Sequence, residues 1–252
     1  MPGRTGPAAP IRYDGIMDGR SLDDLPRRGA FRLRGLEMTR IETFTDAAFA
    51  FAVTLLVISI DHVPTSLDEL ERVLREIPAF AISFMLLALF WWGHHTWSQR
   101  YGLHDGVSIA LSLLLVFLVL CYVYPLRFLF GTFMNWITDG WASPAASSSE
   151  GRNLDRIFVI YGVGYAAMSG CICALNLHAW RLREVLQLDE RELVSAGVEL
   201  RAWAINGGVA LLSIALALLG PETDFGLPGW VYLLLAVLLP LDIKRTQRSL
   251  RE

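Results

Sequence analysis

The sequence predicts an all-α polytopic membrane protein with six transmembrane helices per subunit and both termini in the cytoplasm. Three observations carry that prediction. Hydrophobic residues are 54% of the 252-residue chain and charged residues only 19%. A soluble domain carries nearer a quarter charged residues and has too little interior to hide so much apolar surface. Six apolar stretches approach the roughly 20 residues that a helical span needs. Finally, seventeen of the 22 Lys and Arg lie before the first stretch or after an even-numbered one, and five lie on the opposite side. That asymmetry places the basic side in the cytoplasm.

Residues 1–39 read as a cytoplasmic tail. They hold no apolar run of the signal-peptide kind, and Asp14, Asp18, Asp23 and Asp24 interrupt them. A disordered or loosely helical segment is expected there. Residues 40–243 carry the spans, the first at 44–60. Next, 66–77 (SLDELERVLREI) puts Leu67, Leu70, Val73, Leu74 and Ile77 at helical spacing, and Ser66 with Glu69 suits a capping box. The second span is 77–97 and the third 107–130, where Pro125 is expected to kink or end the helix. The connection 131–156 has the Ser/Ala/Gly-rich composition and length of a mobile loop. Spans four to six fall at 157–180, 202–219 and 227–241. The first, fifth and sixth are short, which extended ends or a thin bilayer would accommodate. Residues 244–252 form a basic cytoplasmic tail with Lys244, Arg245, Arg248 and Arg251.

Composition also excludes functions. A formal charge of −3 provides no basic face for nucleic acid. The three cysteines, Cys121, Cys171 and Cys173, lie inside apolar runs and form no disulfide framework. No nucleophile elbow, phosphate loop or paired carboxylates appear, so nothing points to an enzyme. Adjacent His94 and His95 diverge by roughly 100° on a helix, and no further ligand cluster completes a metal set. Tyr161–Gly–Val–Gly–Tyr165 resembles a potassium-channel filter, but a filter needs an extended loop after a pore helix. Here the five residues open a continuous apolar run, where glycines serve close helix packing.

Ionisable groups inside a span need a reason, because they are costly in hydrocarbon. Asp46 sits one turn into the first span, behind Arg40 and Glu42. The second span ends in Trp91, Trp92, His94 and His95, and the third begins after His104 and Asp105; all lie at the same cytoplasmic end. Asp46 can therefore bond an imidazole or an indole N–H of the second span and staple the two helices. His95 and His104 read more simply as interfacial residues.

A helical wheel of the first span sets Phe44, Ala47, Ala48, Phe51, Leu55 and Ile58 on one uncharged face, with Thr54 at its border. Thr45 and Asp46 lie behind. By periodicity alone, that face reads first as lipid contact or ordinary core.

Segment 38–58, MTRIETFTDAAFAFAVTLLVI, resembles the Arg-x-x-x-Phe-Ser-Asp signature that opens the first span of the transmembrane-protein-175 potassium channel family in its bacterial form. Arg40, Phe44, Thr45 and Asp46 match it, with Thr for Ser. Trp91 and His94 match that family's Trp-x-x-His at the end of the second span, and Asp105 and Pro125 suit its third. The resemblance is specific over about residues 38–130. It implies a homotetramer around a central potassium pathway lined by the four first helices, in the cell inner membrane. It further implies a hydrophobic constriction at Phe51, Leu55 and Ile58, with Thr54 beside it. Arg40, Phe44, Thr45, Asp46, Trp91, His94 and Asp105 would form a polar network that positions the pore helix. The implied partners are potassium ions, membrane lipid and further copies of the chain. No cofactor is implied, and no metal beyond the permeating potassium. Phe51 departs from the Ile or Leu usual in the family; its wider ring narrows a pore and offers a π face to a cation. The competing reading is a proton-coupled transporter using Asp46 and His94 as a relay, although the internal repeats common in transporters are not evident.

Overall fold

The computed structural model describes residues 24–58, 64–144, 154–219 and 227–249. After a two-stranded hairpin (β1, Arg27–Arg28; β2, Phe31–Arg32) come α1 (Arg40–Ile58), α2 (Leu67–Leu74), α3 (Ile77–Tyr101) and α4 (Gly106–Ile137). These are followed by α5 (Leu154–Arg181), α6 (Glu190–Leu219), α7 (Leu227–Trp230), a 3-10 turn (Val231–Leu234) and α8 (Leu235–Ser249). Among the described residues, five helical stretches are long and apolar enough to cross a membrane. The 19-residue α1 carries Arg40, Glu42 and Asp46 in its first two turns and is described only to Ile58.

Successive long helices run in alternate directions. At one end Arg100 pairs with Glu199 at 2.8 Å, His178 with Asp105 at 2.9 Å and Arg201 with Asp242 at 3.0 Å. At the other end Arg127 reaches the Glu76 carboxylate at 3.0 Å. Between these polar ends lies the larger of two buried apolar clusters. Phe49, Ala52 and Leu56 of α1 pack with Leu87 and Phe90 of α3, Leu115 and Val119 of α4, Met168 of α5 and Trp203 of α6.

The helices outrun their apolar stretches. Pro125 does not end the third span: α4 continues to Ile137, forgoing the one backbone bond that proline cannot donate. Helix α6 begins twelve residues before the apolar run at 202, and its charged first turns are held by the ion pairs of Glu192, Glu199 and Arg201. The amphipathic segment forms α2, with the Ser66 side chain accepting from Glu69 N and the Glu69 carboxylate accepting from Thr65 N. Most of the connection expected to be mobile is otherwise accounted for or lies outside the described residues (145–153). Its first part extends α4, and Ser143 then turns back to donate to the Glu76 carboxylate at 2.8 Å.

The Tyr161–Tyr165 segment lies inside α5. A Cβ on Gly164 would run into the Tyr122 ring, and one on Gly162 would stand 2.6 Å from Ile214. The glycines admit neighbouring side chains to the helix surface, and both tyrosine rings meet Tyr232 edge-on.

The largest departure is at the N-terminus. Of the tail expected over residues 1–39, 1–23 lie outside the described residues and 24–39 are not loose: Leu25, Phe31 and Arg34 are buried, Phe31 against the Trp97–Tyr101 end of α3 and Arg34 against Glu192 at the head of α6. The sequence conceals this because an isolated two-residue hairpin has no periodicity to detect; its stability comes from tertiary contacts.

Candidate functional site

The site is built on α1. Thr39 precedes it, accepting from Glu42 N, while the Glu42 carboxylate accepts from Thr39 N at 2.7 Å. The same carboxylate also accepts from the Ser98 hydroxyl of α3. One turn further on, Trp91 Nε1 of α3 donates to Asp46 Oδ1 at 2.8 Å. Two carboxylates on the back of α1 therefore hold it to α3, and Thr45 is fully buried between them in sequence. The indole of Trp91 is in turn stacked on His95, with ring centroids 5.0 Å apart and planes 16° from parallel.

The remaining residues expected in that network are dispersed. His94 is buried, but its Nε2 meets Ser112 Oγ of α4 at 2.9 Å rather than Asp46. Asp105 sits on another seam: it caps α4 through Val107 N and Ser108 Oγ and pairs with His178 of α5 at 2.9 Å. Its burial would raise the carboxyl's pKa, but the Ser108 hydroxyl, the His178 imidazole and the Val107 N–H outweigh that and hold it below the ordinary value. Arg40 is exposed at the start of α1, and Phe44 is exposed one turn later. Asp46, Trp91 and His94 thus share one seam of the bundle, while Asp105 belongs to the α4–α5 contact.

The opposite face of α1 is open. Phe44, Ala47, Ala50, Phe51, Thr54 and Val57 are exposed, whereas Ala48 and Leu55 are half-buried. Leu55 packs against the central core. The open face is therefore turned toward Thr54 relative to the wheel, by about 50° on an ideal helix. The turn arises because α3 and α4 pack on α1 and cover one border of the apolar stripe. Phe51 is 56% exposed and Phe44, two turns earlier, 53%. Thr54 Oγ1 donates to the Ala50 carbonyl at 3.0 Å and Thr43 Oγ1 to the Thr39 carbonyl at 3.1 Å, which leaves their lone pairs as outward-facing polar groups on this surface. Ile58 closes α1, and its side chain lies outside the described residues.

Three partners went unread in the sequence: Glu42 with Ser98, Asp105 with His178, and Arg34 with Glu192. Only the last left a signal, since Asp189 and Glu192 have the spacing of a capping box at the head of α6. Among the described residues no group of His, Cys, Asp and Glu is arranged to hold a metal ion.

Residues 40–125 match the sequence pattern of a family described as endosomal/lysosomal potassium channel TMEM175. A protein of Marivirga tractuosa named potassium channel is 32% identical over 235 residues, which span 88% of this chain and 94% of that one. The crystal structure of a variant of the potassium channel MtTMEM175, in complex with a nanobody–MBP fusion, matches with a TM-score of 0.77 at 30% identity. That match covers 89% of this chain and 100% of the other.

Proposed function

This chain belongs to the TMEM175 potassium channel family, and from that membership we propose that it conducts potassium passively through a central pore lined by α1. The pore is formed by four copies of a six-span subunit in a bacterial inner membrane, with both termini cytoplasmic. One observation carries the reading. The back of α1 is tied to its own subunit by Glu42 and Asp46, while the face bearing Phe51 and Thr54 is left exposed by its own chain.

Phe51, Leu55 and Ile58 form the constriction in this reading. An apolar ring narrow enough to dewet resists every ion, so conduction requires it to widen or wet. Four Thr54 oxygens, each with its proton committed to a backbone carbonyl, replace part of the potassium hydration shell. Four Phe51 rings add a weak π attraction for the cation. Of the residues expected to form a polar network, Asp46 and Trp91 hold α1 to α3 structurally, His94 bonds Ser112, Asp105 serves the α4–α5 contact, and Arg40 and Phe44 are exposed. A proton relay between Asp46 and His94 is disfavoured, because each already has another partner, Trp91 and Ser112 respectively.

The test is flux from liposomes holding the full-length protein. A potassium gradient alone should drive dye-reported efflux that does not depend on a pH gradient, with a tetramer in detergent. Flux that requires a pH gradient, or a monomer in detergent, refutes the proposal.

A further inference from the structure

The hairpin is anchored on the bundle and runs through residues 36–39 into the start of α1. Arg34 donates through Nη1 and Nη2 to both carboxylate oxygens of Glu192, each at 2.9 Å, and the two side chains are 6% and 0% exposed. Arg34 Nε donates to the Leu186 carbonyl at 3.1 Å, and Arg32 N donates to Glu192 Oε1 at 2.8 Å. Glu192 also accepts from Asp189 N, so one carboxylate joins the hairpin, the α5–α6 connection and the head of α6. Phe31 is buried beside Tyr101, with the Arg100 guanidinium 4.5 Å over its ring.

Immediately beyond Arg34 the chain is pressed on α3. Gly35 N donates to the Gln99 carbonyl at 3.0 Å, and a Cβ at Gly35 would collide with the Ser98 carbonyl. Ser98 is also the residue that donates to Glu42 of α1. Arg28 lies 5.4 Å over Trp92, whose neighbour Trp91 holds Asp46. Only 36–39 separate this clamp from the helix we assign to the pore.

We infer that Arg34 and Glu192 are positioning residues for conduction. Their buried pair straps the cytoplasmic end of α1 to α3 and α6, and so sets how closely the α1 helices approach at the constriction. The inference rests on the pore assignment for α1. Loss of the fork releases the start of α1, and the constriction loosens. Lysine at 34 keeps the charge but cannot form the two parallel bonds. Alanine at Gly35 keeps the ion pair and instead pushes the strand off α3.

The test uses the full chain, comparing Arg34→Lys and Gly35→Ala with wild type. Flux per tetramer and the potassium-over-sodium preference are measured in liposomes, beside tetramer yield and thermal midpoint in detergent. In each variant that assembles, flux per tetramer should rise by about fivefold and the preference should fall, the scale expected for moderate coupling between distant elements. A merely structural pair would lower yield or midpoint while leaving flux per tetramer and preference unchanged, and that result overturns the inference. It is equally overturned if neither variant forms a tetramer, because the pair is then a folding requirement. A wild-type protein that conducts no potassium would instead refute the pore assignment.

Discussion

Replacing Asp46 by alanine and Trp91 by phenylalanine, singly and together, measures how firmly α1 is held to its subunit. The bond is 2.8 Å long, joins an indole N–H to a carboxylate oxygen and is partly buried. A hydrogen bond to a charged group contributes about 1.5–3 kcal/mol, and a buried donor left without an acceptor costs about 1–3 kcal/mol. Asp46→Ala therefore removes the bond and strands the indole, for an expected loss of about 2–3 kcal/mol per subunit. Trp91→Phe keeps most of the ring packing on His95 but leaves the carboxylate without its donor. The double variant should be less destabilised than the sum of the two, with a coupling of about 1.5–2 kcal/mol. On the usual scale for chains of this length, the single substitutions should lower the thermal midpoint of the detergent-solubilised protein by about 4–10 °C. If α1 positions the subunit in an assembly, Asp46→Ala should also release monomer at a lower temperature on size exclusion. Additive single and double effects would refute the bond as an anchor. So would an Asp46→Ala protein as heat-resistant and as tetrameric as wild type.

Shortening Phe51 to alanine removes the more exposed of the two phenyl rings on the open face of α1, so flux should rise and potassium preference should fall; unchanged flux takes Phe51 out of the pathway. Gly164→Ala should lower the thermal midpoint, at a cost of about 1–3 kcal/mol for forcing Tyr122 aside. Gly170→Ala, where a Cβ meets nothing within 4 Å, should leave the midpoint near wild type. For Asp105, whose carboxyl is held below its ordinary value, the stabilisation is present above the unfolded value near pH 4. It is lost as pH falls through the lower folded value. The difference in thermal midpoint between wild type and Asp105→Asn should therefore shrink on acidification below about pH 4. A constant difference from pH 7 to pH 3 would refute that linkage.

The membrane class and the approximate position of the apolar stretches were legible along the chain. Hydropathy and periodicity are local properties, and a run such as 107–130 has few alternatives to a buried or lipid-facing helix. The signature around Arg40, Phe44, Thr45 and Asp46 was legible for the same reason: it is one contiguous piece of helix. Partnership was not. His94 was free to meet Asp46 until the packing of α3 on α4 gave it Ser112, and Asp105 met His178, seventy-three residues away. The rotation of α1 that half-covers Leu55 and opens Thr54 depends on the side chains of two other helices. So does the hairpin at residues 27–32, in a segment expected to be disordered or loosely helical, which the Arg34–Glu192 pair just beyond it anchors. Local pattern determines that a segment enters the membrane as a helix; only the tertiary fold decides which of its faces remains open, because that choice is a competition among surfaces distant in sequence.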